Sequence, residues 1–517
     1  MAERDRGDRS AYVHGERRLG EELNLWRILD RWTMCNIKKK LKLFLLPFML
    51  CIGCVPEEDE DLSVGTKWTV MAYMDGDNDL EPCLAADVAE MKLGMINGSG
   101  VNVIVLFDGY GSGNTRLYRI TRGREHLLAH WGERNMADAE TLKEFIEYCK
   151  ANYPADKYCL IMSDHGDGPK KKSLGGGGGG SSFTKGLCQD ITGSGDLMLT
   201  ADISGTLEKE NSVDLFILDA CLMAAVEFAY QFRDDASNAG FKAKFMAASA
   251  PETWGLGLYY IDIINTLCRN PNWGGGELSD YVVASQQNYV RTGKIPNNYK
   301  SMAQSQSFAS IDLSKVSAVK TAFDNLAAEL KQETDSKNEL ETLRGYYSGM
   351  PASQPQLLHY FNRFNYSEWS NWPFFDIYNF ACAVGDKAQT TDGGSEEGRP
   401  FSYSTGEAAR AAADAVKAMV RRSFAGSKFK NVSKELNFEP DASGVFFVFP
   451  CGDIFNWDNY YWYSNTKFYY DDDNKSSVSE TGGCGFAGGG LEWCAQPASG
   501  VSWAGLLSEW YGGGGSP

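Results

Sequence analysis

Five short apolar runs, at residues 68–74, 101–107, 157–163, 213–218 and 241–247, limit what this chain can fold into more than any other feature. They are apolar at most positions rather than at every second one, which is the pattern of strands buried on both faces. Stretches with helical periodicity separate them, at about 80–91, at 137–152 and from the end of the fourth run to about 232. Strands alternating with helices predict an α/β fold with a largely parallel sheet covered on both sides. A run at 117–120 reads as a hairpin strand and one at 444–450 as a sixth core strand. Residues 256–430 read as mostly helical, with a strand near 308–311, and 431–517 as the final core strand and an aromatic, Gly-rich tail. The aromatics of that tail are expected to form short strands or to cover the core.

The N-terminus speaks of location. Residues 34–53 have a basic start, Lys38-Lys39-Lys40, and an apolar stretch of about 13 residues from Leu41, too short to span a bilayer and right for a signal peptide. It ends in Cys51-Ile52-Gly53-Cys54, which resembles a bacterial lipobox with Cys54 as the lipidated residue. Residues 1–33 make a poor leader and read as an over-called or disordered extension, with Met34 as the start. Residues 54–66 form an acidic linker through Glu57, Glu58, Asp59, Glu60 and Asp61, similar to tracts that send some lipoproteins to the cell surface. The expected location is extracytoplasmic, on the outer membrane through the lipid on Cys54.

Of the 517 residues, 43% are hydrophobic and 23% charged, which excludes a mostly disordered chain. The formal net charge of −18 repels phosphate backbones, so nucleic acid is not an expected partner. The field suits cationic partners instead. The 13 cysteines show no C-x-x-C pair in the mature region, and no zinc framework is expected. Cys484 and Cys494 could form a disulfide in an oxidising compartment.

Two strand ends carry chemistry. The third run ends in Asp164-His165-Gly166, and a His-Gly at the carboxyl end of a parallel strand lies where open α/β sheets build their sites. The fourth ends in Asp219-Ala220-Cys221, with Cys221 expected to open a helix whose N-terminus favours the thiolate. Taken singly, each is more simply a loop histidine and a structural cysteine. Together, on neighbouring strands, they describe a nucleophile and a general acid/base, with backbone N–H groups at Gly166 and Cys221 for an oxyanion. The loop between them, residues 169–186, holds Lys170, Lys171, Lys172, Gly175 to Gly180, and Lys185, and reads as flexible coil. Asp75-Gly76-Asp77-Asn78-Asp79 resembles the start of a calcium loop, but position twelve is Ala86 rather than Glu, so a turn and helix cap is the expected role.

The blocks at 68–75, Asp77-Asn78-Asp79-Leu80, Asp164-His165-Gly166, Asp219-Ala220-Cys221-Leu222-Met223-Ala224, Ala248-Ser249 with Glu252 and Gly255, and Gly444-Val445-Phe446-Phe447 resemble those of the clostripain-type cysteine peptidases. That resemblance implies a caspase-like α/β/α sandwich, with 67–255 as its catalytic core, and His165 and Cys221 as a catalytic dyad. It implies cleavage of proteins or peptides after Arg or Lys, with Asp219 in the pocket for the basic side chain and Glu252 as the candidate second acid. It also implies self-cleavage between the His and Cys blocks, after Lys172 or Lys185 or, failing those, Lys170 or Lys171. No cofactor is required by the dyad; calcium stays open because some relatives need it. Two alternatives remain: a non-catalytic surface adhesion or binding lipoprotein on the same scaffold, and a caspase-like peptidase with non-basic specificity.

Overall fold

The computed structural model describes residues 65–166, 168, 187–192, 196–235, 240–292, 295–344, 357–360, 374–426, 442–449, 491–495 and 497–511. The leader with Cys54, the four loop lysines and Cys484, with its pairing to Cys494, lie outside these residues.

In chain order the elements that frame the site begin with β1 (Trp68–Asp75), α1 (Glu81–Gly94), β2 (Val101–Asp108), β3 (Thr115–Thr121), β4 (Arg124–Gly132) and α2 (Ala139–Asn152). There follow β5 (Lys157–Ser163), β6 (Leu187–Asp190), β7 (Asp196–Met198), α3 (Thr200–Thr206), β8 (Val213–Asp219), α4 (Val226–Gln231) and β9 (Ala243–Ala248). The later part supplies α5 (Tyr260–Arg269), α6 (Gly275–Thr292), β10 (Ser307–Asp312), α7 (Val316–Gln332), α8 (Ser336–Arg344), β11 (Phe374–Asp376), α9 (Ile377–Asp386), α10 (Tyr403–Met419), β12 (Val420–Ala425), β13 (Phe446–Val448) and α11 (Trp503–Tyr511).

Nine strands form one sheet in the order β12-β10-β9-β8-β5-β1-β2-β3-β4. The five central strands, β9, β8, β5, β1 and β2, run parallel, and antiparallel pairs extend both edges. Alternation within the apolar runs now becomes visible. Val70, Ala72 and Met74 of β1 face a core made with α1, α5 and α6. Met71 and Tyr73 face a larger core made with α2, α4, α7, α9 and α10. A strand buried on both sides must be apolar throughout, which is why these runs stand out in the sequence. This is the expected mostly parallel, helix-covered sheet.

The sequence reading needs correction at three places. β13 is buried, but it pairs with β11 in a separate two-stranded ribbon rather than in the central sheet. β4 and β12 were not expected: the first is largely exposed and polar, and the second carries Arg421 and Arg422, so neither shows an apolar run. The described part of the aromatic tail is a short turn at Glu492–Cys494 and the helix α11, not strands. It covers the core as expected: Trp503 stacks edge-on against Phe380 and Phe449 and donates its indole N–H to the Val448 carbonyl at 3.2 Å. Among the described residues, no helix is long and apolar enough to cross a membrane.

Carboxylates crowd the carboxyl end of the sheet. Asp75 and Asp108 are register partners, Asp164 follows β5, and Asp219 ends β8. Asp75 is fully buried, with Oδ1 accepting the Asp77 N–H and Oδ2 without a partner among the described residues. Burial first, then the charges of Asp164 and Asp190, push its carboxyl well above the usual carboxylate range. Such a group holds its proton longer folded than unfolded. It therefore costs stability as pH rises past the unfolded value, near 4. Asp75→Asn, which keeps the acceptor for Asp77, should gain thermal stability over wild type as pH rises from about 4 to 7, with the difference smallest at the acid end. Paired melting curves across that range check the sign.

Candidate active site

The parallel pairing of β5 with β8 aligns Ser163 with Asp219. His165 and Cys221 therefore each lie two residues beyond a register pair. The two chains then touch through Gly166. A Cβ added there would sit 2.3 Å from the Cys221 carbonyl oxygen, 2.9 Å from its nitrogen and 2.8 Å from the Ala220 Cβ. Only glycine permits this approach, and it brings the backbones of Gly166 and Cys221 into contact.

Cys221 does not open a helix. α4 starts at Val226, and residues 220–225 instead cross-pair with the loop after β9. Leu222 donates its N–H to the Pro251 carbonyl and Ala224 donates to that of Ser249, while the left-handed backbone at Leu222 excludes an α-helix running through it. Leu222 adopts φ +60, a conformation a branched side chain takes at a cost of roughly 1–2 kcal/mol, and this sharp turn presents Cys221 at the rim. The thiol is half-buried. In place of a helix N-terminus, the Thr253 N–H points at Sγ at 3.3 Å, and the Thr253 hydroxyl lies 3.5 Å from it. The Thr253 carbonyl also lies 3.8 Å from Sγ and can accept the thiol's proton.

His165 Nε2 lies 2.9 Å from Asp79 Oδ1. An ionised carboxylate only accepts, so Nε2 carries the proton and Nδ1 is left for proton transfer. The Asp75–Asp79 segment is a turn, as expected, but its acids divide the work. Asn78 closes a turn by accepting the Leu80 N–H at 2.9 Å, and the expected helix cap is not made, since α1 has no side-chain cap; Asp77 accepts the Gly111 N–H at 3.1 Å and binds both the N–H and hydroxyl of Thr192. Asp164 is buried. It accepts from Asn78 at 2.8 Å and from the Gln189 N–H, and burial raises its carboxyl.

Asp219 is 6% exposed. Its Oδ2 accepts the Leu258 N–H at 3.0 Å and the Tyr260 hydroxyl at 2.8 Å, and Oδ1 takes no bond among the described residues. Burial raises this carboxyl, and the two hydrogen bonds oppose the rise. Glu252 is half-buried and next to Thr253, so it lies on the loop that touches the sulfur. Asp79 and Thr253 are contacts the sequence reading missed. The only hint was that both sit in loops at the carboxyl end of the sheet, where such sites form. Two groups offer donor atoms within 4.8 Å of one another: Asp75, Asp164 and Cys188, all buried, and Asp77, Asp190 and the exposed Glu133. The second is all-oxygen, the donor set a hard cation takes.

Gly166→Ala should cost about 1–3 kcal/mol of stability by overpacking and reduce turnover at least ~100-fold, because the backbone of Cys221 must move to admit the methyl. A protein that stays folded with wild-type turnover would show that the contact is dispensable.

Residues 72–480 match the profile of peptidase C11, the clostripain family. Clostripain of Hathewaya histolytica is 32% identical over 429 residues, which is 75% of this chain and 75% of that protein. Among solved structures, an inactive zymogen C11 protease from Parabacteroides distasonis shares the fold with a TM-score of 0.51 at 16% identity, over 79% of this chain and 99% of that one. A secreted C11 cysteine protease from Bacteroides thetaiotaomicron, iotapain, does so with a TM-score of 0.51 at 13% identity, over 78% of this chain and 100% of that one. Identities that low speak to the fold alone. The family match and the likeness to clostripain, each covering most of the chain, make this protein a member of the clostripain family of cysteine peptidases.

Proposed function

We propose that the protein is an endopeptidase that cleaves after Arg or Lys through Cys221 and His165, and that it is activated by cutting its own loop between them. The carrying observation is the convergence of the two strand ends at Gly166, with a buried carboxylate, Asp219, ending the strand that bears Cys221.

In this reading the Cys221 thiolate attacks the carbonyl carbon of the scissile bond. The oxygen gains the negative charge beside the N–H groups of Gly166 and Cys221. As the C–N bond breaks, protonated His165 gives a proton to the departing amine. Water then attacks the thioester, with His165 taking its proton, and the acid leaves as the thiolate re-forms. Asp79 is a positioning residue that fixes the imidazole. The basic substrate side chain reaches Asp219, where a charge-assisted bond in a dry setting is strong.

Self-cleavage after Lys172 or Lys185, or after Lys170 or Lys171, has structural support at the far end of the loop. The chain re-enters at β6, where the Gln189 N–H binds Asp164 and its carbonyl accepts from Asn78, beside His165. The described residues on either side of the lysine-bearing loop, Gly166 before it and Gln189 after it, thus both make contacts beside His165. Export follows from the leader, and a lipid on Cys54 would hold the enzyme on the outer membrane, facing protein or peptide substrates. The chemistry needs no cofactor. Asp77, Glu133 and Asp190 form the group a calcium ion would suit, and turnover with and without EGTA decides whether one is used.

Intact mass and peptide mapping of residues 55–517, beside Cys221→Ala, test the assignment. Wild type should give two chains cut after a lysine within 170–185, and the variant should remain whole. If both stay whole and neither hydrolyses Arg or Lys peptides, the binding-lipoprotein alternative stands. Asp79→Asn should lower kcat by about 10²- to 10⁴-fold with little change in KM, since it affects the orientation and tautomer of His165 and not the binding of substrate.

A further inference from the structure

Beside Asp219 the structure holds a second carboxylate from an unexpected element. Gly257 lies in the loop between β9 and α5 with φ +60. A Cβ built on it would lie 2.7 Å from Asp87 Oδ2 and 3.1 Å from Asp219 Oδ2. Asp87 belongs to α1 and Asp219 to the end of β8. The two acids therefore converge on a loop residue that has no side chain, and both are buried. Tyr260 marks the same place: its hydroxyl binds Asp219, and the charges of both acids add to burial in raising its phenol.

A third acceptor is nearby. Gln286 of α6 donates Nε2 to the Gly257 carbonyl at 3.4 Å, and its buried Oε1 has no partner among the described residues. The Trp254 indole N–H, from the same loop, also binds that carbonyl, at 3.1 Å, and its ring packs edge-on against Tyr289 of α6. Two like charges and a spare amide oxygen packed together are costly in a dry interior. A group with several N–H donors and a positive charge answers all three, and guanidinium and ammonium are the side-chain groups of that kind.

We propose that Asp87 is the second acidic group of the pocket for the substrate's basic side chain, facing Asp219 across Gly257. This rests on the Arg/Lys specificity proposed above. It moves the second acid from Glu252, on the loop that touches the nucleophile, to the helix that follows β1. Gly257 is then the backbone against which both acids rest, and a methyl there would strike Asp87 Oδ2 and crowd Asp219 Oδ2.

The test uses the processed enzyme and peptides carrying Arg, Lys or Gln on the acyl side of the scissile bond. It compares wild type with Asp87→Asn, Asp87→Glu, Asp219→Asn and Gly257→Ala. The rate at which iodoacetamide alkylates Cys221, followed by peptide mapping, reports the nucleophile independently of the pocket. Asp87→Asn should lower kcat/KM for Arg and Lys peptides by about 10- to 100-fold, mostly through KM. The Gln peptide and the alkylation rate should hardly change, and Asp87→Glu should recover part of the preference. An Asp87→Asn enzyme with the wild-type ratio of Arg to Gln cleavage, while Asp219→Asn loses it, overturns the proposal. So does an Asp87→Asn enzyme impaired equally on all peptides with slowed alkylation, because Asp87 would then be structural. A wild-type enzyme without preference for Arg or Lys overturns the specificity reading itself, and this proposal with it.

Discussion

The hydrogen-bonded register between β5 and β8 is the constraint on which the site depends. Parallel pairing of Ser163 with Asp219 sets His165 and Cys221 at equal heights above the sheet. A slip of one residue would send each side chain to the opposite face. The register is fixed because both strands are buried on both sides, with Leu160, Met162, Phe216 and Leu218 in one core and Cys159, Ile161, Leu215 and Ile217 in the other. Precision at the site is thus inherited from packing well below it.

Above that base the site is made of loops that hold one another. The turn at Leu222 leans on Pro251 and Ser249, the loop after β9 returns Thr253 to the sulfur, and the loop after β1 sends Asp79 to the imidazole. The cost is a concentration of buried acids at one end of the sheet, where Asp75, Asp164 and Asp219 are all pushed upward by burial.

Much of the frame could be read from the sequence, since burial on two faces leaves an apolar run that needs no structure to be seen. β4 and β12 escaped because edge strands are half-solvated and carry polar side chains, and β13 misled because an apolar run shows burial but not which strand it pairs with. The positions of His165 and Cys221 were legible as strand-end residues. Asp79 and Thr253 were not, for they meet His165 and Cys221 through contacts between distant segments. The helix expected at Cys221 failed because Leu222 takes a left-handed conformation, φ +60, that an α-helix cannot include.

The segment after Cys221 is also stitched to the far end of the chain. Phe446 donates its N–H to the Ala224 carbonyl at 2.9 Å, Val448 donates to Glu227 at 2.8 Å, and Trp503 packs over the same ribbon. The first two bonds join residues more than 200 positions apart, so the turn at Cys221 lacks its backing until nearly the whole polypeptide has been synthesised. A ribosome translating this message carries a chain whose turn at Cys221 is buttressed last.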